Sequence, residues 1–144
     1  MYQIVFVGVT RSMAGFTDDL LFSREHTWVR IDGNIATIGI TDYAQEALGE
    51  IFSVDLPNMD TYVEQDEPFG TIEAKKTVAE LISPISGDII SVNEDLSDDV
   101  GIINSDPYNT GWMIVVAMSD SSELDDLLDA DEYGDFVEED EKGR

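Results

Sequence analysis

From Phe22 to Val116 apolar and polar residues alternate in short runs broken by turn residues, and the pattern predicts a succession of strands. Trp28–Ile31 and Ile35–Ile40, separated by Asp32-Gly33-Asn34, read as a hairpin. Thr41–Gly49 reads as a short helix. Thr41 or Asp42 caps its start, Asp42 and Gln45 have capping-box spacing, Gly49 stops it, and Tyr43, Ala47 and Leu48 form its inner face. Ile51–Leu56 alternates as a half-buried strand, closed by Pro57-Asn58. Phe69–Ile72 and Val78–Ile82 are two further strands, with Phe69, Ile72, Val78 and Leu81 as inward anchors and Glu73–Thr77 between them. After the turn Pro84–Gly87 come a strand at Asp88–Val92 and a continuous apolar strand at Gly111–Met118, expected to be buried on both faces. The period then changes. Ser119–Tyr133 carries Leu124, Leu127 and Leu128 at helical spacing, which predicts one amphipathic helix capped by Ser121 or Ser122. The fold class is therefore mainly β: a small barrel-sandwich hybrid of antiparallel strands with a short internal helix and a C-terminal helix.

Charge changes the reading of both ends. The chain has 144 residues, 32 acidic against 7 basic, and a formal charge of -25. Residues 134–144 are expected to be an acidic disordered tail with little to pack. Residues 1–19 are expected to be a flexible extension, with Met13 opening a more ordinary beginning than the upstream apolar stretch. That leaves residues 20–133 as the folded domain. Such acidity argues against nucleic acid and against an anionic membrane surface, and it favours basic protein partners. Adaptation to high salt and a simple solvated tail are the other readings. No apolar run approaches the ~20 residues needed to span a bilayer. The absence of a basic presequence points to a bacterial or archaeal cytoplasm rather than a mitochondrial matrix.

Candidate chemistry is sparse. There is no cysteine, and His26 is the single histidine, so thiol catalysis and a multi-histidine metal site are excluded. His26, next to Thr27-Trp28 and without a visible triad, reads as a packed structural residue. Asp98-Asp99 and Asp125-Asp126 lack EF-hand spacing. What stands out is lysine: the chain has three, and Lys75 and Lys76 sit together between two strands. A hairpin tip presents an amine clear of its neighbours, and acylation would neutralise the charge and extend its reach. Surface lysines at turns are commonplace, so position alone leaves a blunted acidic loop open as the alternative.

The run Thr71–Leu81 resembles the modification hairpin of lipoyl and biotinyl carrier domains, most closely the H-protein family of the glycine cleavage system, which has E-S-V-K-A here. Other segments agree. Glu25–Val29 resembles H-x-W-V, Gly39–Gly49 resembles G-I-T-D-Y-A-Q-x-x-L-G, and Ser83–Gly87 resembles P-V-S-G. Asn104–Tyr108 with Gly111-Trp112 resembles N-x-D-P-Y-x-x-G-W. The departures are Ala74, Lys75 and Thr77 around the lysine, and Asp60 and Asp66 where turn glycines are usual; Asp tolerates the left-handed conformation such turns need.

The resemblance implies a lipoyl carrier rather than an enzyme. Aligned on Glu73 and Pro84, the lipoyl group would be covalently attached to Lys76, with Glu73 aiding recognition of the hairpin. The implied role is to carry the aminomethyl group from glycine decarboxylase (the P protein) to the tetrahydrofolate-dependent aminomethyltransferase (the T protein). The L protein, dihydrolipoyl dehydrogenase, would reoxidise the carrier, and a lipoate-attaching enzyme would load it. The family resemblance also implies that Asp106-Pro107-Tyr108 and Trp112 fix a turn and fill the core, with the Tyr108 hydroxyl bonded. Three alternatives stay open: an unmodified acidic binding module, an H-like lipoyl relay serving other 2-oxoacid dehydrogenases, and a biotin carrier. The last is disfavoured because Lys75 and Thr77 stand where biotin ligases meet Met on both sides of the lysine.

Overall fold

The computed structural model describes residues 19–142. The expected extension at 1–19 lies almost wholly outside them. Among the described residues nine strands form two antiparallel sheets. They are β1 (Leu20–Phe22), β2 (Thr27–Asp32), β3 (Ile35–Ile40), β4 (Ile51–Asp55), β5 (Tyr62–Val63), β6 (Pro68–Ala74), β7 (Val78–Ile82), β8 (Gly87–Val92) and β9 (Ile114–Met118). One sheet runs β1-β2-β3-β9-β8-β5 and the other β4-β6-β7. Val29, Ile38, Ile89 and Ile114 of the first sheet and Ile51, Ile72 and Leu81 of the second share one buried core, so the sheets pack face to face as a sandwich.

The β2–β3 hairpin forms as its pattern predicts, with Trp28 opposite Gly39. The pairing needs that glycine, because a Cβ there would fall 2.6 Å from the indole ring. The ring is fully buried, its Nε1–H donates to the Pro107 carbonyl at 2.9 Å, and the Arg30 guanidinium lies 5.0 Å from its centroid. Asp60 and Asp66 both adopt φ 69, the left-handed conformation expected of them.

Helix α1 (Asp42–Leu48) is capped by Thr41, whose Oγ1 accepts from the Ala44 N–H; the Asp42 carboxylate instead accepts from the Gln45 side chain. Ala47, expected on the inner face, is exposed; Ala44 and Leu48, four apart, pack against the core. In β4 the alternation fails at a bulge between Ile51 and Ser53, which leaves Phe52 56% exposed. Val78, expected as an inward anchor, is 64% exposed. It shares its face of β7 with Glu80, whereas Ala79 and Leu81 point inward, so the strand's period of two excludes it from the core. The strand expected at Gly111–Met118 begins at Ile114, and Val115 and Ala117 are only half-buried on its second face. Two short helices, α2 (Asp95–Asp98) and α3 (Ile102–Ser105), bridge β8 and β9.

The largest correction concerns the C-terminal segment. Instead of one helix over Ser119–Tyr133, a 3₁₀ turn covers Ser121–Asp126 and helix α4 covers Ala130–Lys142. Between them Leu128 is extended and exchanges two backbone hydrogen bonds with Phe22, at 2.7 and 2.8 Å. Those bonds stop helical geometry at the leucines. A reciprocal capping box restarts it: the Asp129 carboxylate accepts from the Glu132 N–H, and the Glu132 carboxylate accepts from the Asp129 N–H. The tail expected to be disordered from residue 134 is helical to Lys142, because Phe136 and Val137 give it an apolar face to bury.

Candidate functional site

The three-stranded sheet carries the lysine pair. Strand β6 runs through Ala74, two residues past its expected end, so the tip is Lys75, Lys76 and Thr77. The Ala74 N–H donates to the Thr77 carbonyl at 2.9 Å and closes it. All three tip side chains are exposed, while Ile72 and Ala74 beneath them are buried. The side chains face solvent, while the main chain is held. The Lys75 N–H donates to the Glu50 carbonyl at 2.8 Å, and the Lys76 N–H donates to the Leu48 carbonyl at 3.3 Å. The connector from α1 to β4 thus braces the tip from the side. Gly49, in the middle of it, has φ 82, a conformation that suits glycine. A Cβ added there would lie 3.5–3.6 Å from Cγ, Cδ and Cε of Lys76, so the aliphatic stem of that lysine rests alongside the connector.

Glu73, the expected recognition residue, is exposed on the outer face of β6 between Ser53 and Val78. Its carboxylate accepts from the Ser53 hydroxyl at 3.4 Å. Nearby on the same sheet Phe52 and Val78 are exposed.

His26 lies elsewhere, in the turn between β1 and β2, with φ 67. Its Nδ1 shares a 2.8 Å hydrogen bond with the Tyr133 hydroxyl, and the same hydroxyl shares another of 2.8 Å with Thr41 Oγ1. Tyr133 stacks on Phe22 with centroids 4.6 Å apart. The His26 ring also faces Tyr43 and Phe136. Burial pushes the Tyr133 phenol far above its usual range, and the bond to Thr41 only partly offsets this. Tyr108 follows the same logic. Burial raises its phenol, the bond accepted from the Asp42 N–H at 2.9 Å lowers it, and the charge of Asp42 raises it. Asp106 accepts from Thr110 with its carboxylate and from the Gly111 N–H with its carbonyl, which makes it a turn residue. Trp112 is half-buried against a cluster of Phe22, Trp28, Tyr108 and Tyr133 that is separate from the main core. Among the described residues no group of three or more His, Cys, Asp or Glu side chains is placed to hold a metal ion, and no helix is long and apolar enough to cross a membrane.

Sequence reasoning missed one contributor to the site, Asn104. Its motif was visible, yet the residues it joins, Gln45, Gly49 and Ile51, are remote in sequence and carry no signal of the contact.

A β-sandwich that lifts a lysine on a braced hairpin tip, with a lone, structurally engaged histidine, is the arrangement of a covalent carrier domain. Comparison with known proteins agrees. The profile of the family described as glycine cleavage H-protein matches residues 20–140. A glycine cleavage system H protein from Brevibacillus brevis is 50% identical over 124 residues, covering 86% of this chain and 98% of the relative. One from Halalkalibacterium halodurans is 46% identical over 127 residues, covering 88% and 99%. The crystal structure of a glycine cleavage system H protein from Mycobacterium marinum superposes with a TM-score of 0.74 at 37% identity, covering 81% of this chain and 94% of that one. The chain belongs to the glycine cleavage H-protein family.

Proposed function

We propose that the chain is the lipoyl-bearing carrier of a glycine cleavage system and that Lys76 is its attachment point. The observation that carries this is the position of Lys76: exposed at the tip, with its backbone fixed and its stem laid on Gly49. An amide formed at Nζ removes a positive charge from an exposed site and leaves no buried ion unpaired. The residues therefore fit a covalently attached acyl group. A lipoyl group supplies a reducible disulfide on a long arm, which is the chemistry that accepts and releases an aminomethyl unit.

The chain's own contribution is positional. The pinned tip fixes where the arm begins, and tethering raises the local concentration of the carried group at each partner site. Glu73 and the exposed Phe52 and Val78 lie where an enzyme closing on the lysine would touch the sheet. The partners in this reading are the P protein (glycine decarboxylase), the T protein (aminomethyltransferase), the L protein (dihydrolipoyl dehydrogenase) and a lipoate-attaching enzyme. The strongly acidic chain suits partners with basic rims, so partner turnover is expected to slow as ionic strength rises. The chain itself is a carrier without an active site of its own, working in the cytoplasm of a prokaryotic host.

The test is peptide mass mapping of native protein made with lipoate present, joined to a glycine decarboxylation assay with the P protein. Lipoyl on Lys76 and support of decarboxylation are expected. Lipoyl on Lys75 alone would move the site, and biotin or an unmodified chain would end the reading. Lipoylated protein that passes its group to 2-oxoacid dehydrogenases but does not support glycine decarboxylation would establish the relay alternative.

A further inference from the structure

We propose that Asn104 is the positioning residue of the lysine tip, acting through the α1–β4 connector. The claim that it serves acylation rests on the assignment of Lys76 above. The claim that it holds the tip does not.

Asn104 is half-buried in helix α3, remote in sequence from the hairpin, and its side chain makes three hydrogen bonds. Its Nδ2 donates to the Gly49 carbonyl at 3.0 Å and to Gln45 Oε1 at 2.9 Å, and its Oδ1 accepts from the Ile51 N–H at 3.0 Å. The amide therefore uses both donors and its acceptor on one short stretch of chain. That stretch, Gln45 to Ile51, includes Leu48 and Glu50, whose carbonyls receive the Lys76 and Lys75 N–H groups. It also supplies the glycine beside the Lys76 stem. The main-chain conformation at Gly49 is one that few residues adopt, and Asn104 ties down its carbonyl and the N–H two residues later. The mechanical path is short: Asn104 fixes Gly49 and Ile51, the connector fixes the tip, and the tip fixes the direction in which the Lys76 amine leaves the sheet. Only an amide side chain does this, because a carboxylate offers no donors and an aliphatic residue offers nothing.

The test compares Asn104→Ala, Asn104→Asp and Gln45→Ala with Asn93→Ala. Asn93 is the matched control: its Nδ2 also holds two carbonyls, those of Thr110 and Trp112, but these do not lead to the hairpin. Amide hydrogen exchange at Lys75 and Lys76 is read alongside global stability, and acylation of each variant by a lipoate-attaching enzyme is split into kcat and KM. In Asn104→Ala tip exchange should rise about tenfold beyond that of Asn93→Ala at equal global stability, since three bonds to the connector are lost and each is worth at least about a factor of two. The acylation KM should rise with it. Asn104→Asp should be no better at the tip, because it keeps the Ile51 bond and sets a carboxylate against two acceptors. Gln45→Ala, which removes one of the three Asn104 bonds together with the exposed bond to Asp42, should give a change of the same sign of about two- to threefold, and it serves if the Asn104 variants do not fold. Tip exchange in Asn104→Ala or Gln45→Ala equal to that in Asn93→Ala overturns the inference while leaving Lys76 as the attachment point. Raised tip exchange in a protein acylated elsewhere leaves the positioning role standing and removes Lys76.

Discussion

Helix α1 is held at its two ends in opposite ways. At its N-terminal end Thr41 meets Tyr133, and the Asp42 N–H meets Tyr108; the partners are large aromatic side chains, buried and bonded through their hydroxyls. At its C-terminal end Gly49 meets Asn104 and the lysine tip; the contacts are short main-chain and amide hydrogen bonds beneath exposed side chains. The first end stores stability, because truncating a buried aromatic costs both apolar burial and bonds. The second stores direction, because its bonds set where a backbone points while burying little. A carrier needs both, and this fold separates them by the length of a seven-residue helix.

That separation can be broken from either side. The largest effect is expected at the lysine end: Lys76→Arg should abolish acylation, whereas Lys75→Arg should leave it in place, as read by intact mass, and both should melt like the parent protein. Next comes Tyr133→Ala, which removes the stack on Phe22 and the bonds to His26 and Thr41. It should cost about 3–5 kcal/mol in urea unfolding and leave the acylation rate of the folded protein unchanged. A large drop in that rate would mean that the two ends are coupled through α1. Tyr133→Phe keeps the ring and deletes the shared hydroxyl, at an expected cost of about 1–2 kcal/mol.

Alkaline pH probes the same end more gently. Both phenols are raised by burial, so their folded values lie above the unfolded one. Their stabilisation is complete below about pH 10, the unfolded tyrosine value. It is lost as pH rises from there toward the folded values, since the unfolded chain gives up the proton first. The melting temperature should fall in that window, and less steeply in Tyr133→Phe. The smallest effect belongs to Glu73→Gln, expected to shift the acylation KM about two- to threefold with no change in melting, because the carboxylate is exposed and its bond to Ser53 is long.

Sequence reading was most faithful where periodicity and turn chemistry act locally. The β2–β3 hairpin, the Thr41 cap and the Gly49 stop all follow from neighbours within a few residues, and the left-handed aspartates at 60 and 66 from the turn positions that the family resemblance marks. The lysine tip was legible for the same reason: it is a local feature read from one hairpin and its flanking motif. What was not legible is non-local. Leu124, Leu127 and Leu128 have helical spacing, but the partner that draws Leu128 into extended pairing is Phe22, at the other end of the fold. The capping box Asp129–Glu132 falls inside the span that the leucine spacing assigns to a single helix. Charge density also misled, since Phe136 and Val137 are enough to dock an otherwise acidic helix. Asn104 was read as part of a turn motif because nothing along the chain announces Gly49 as its partner.

The Phe22–Leu128 pairing bears on how the protein is made. Strand β1 lies at the edge of its sheet, and the outer edge of Phe22 is satisfied by a residue close to the end of the domain. During synthesis the strand leaves the ribosome among the first folded segments, but its last two hydrogen bonds wait for almost the whole chain to emerge. Until then the β1 edge stays open, and the aromatic cluster lacks Tyr133 and Leu128. Closure therefore cannot precede the emergence of Leu128. A released chain truncated before residue 128 is expected to present that edge to other chains, and one that runs through the acidic helix is not.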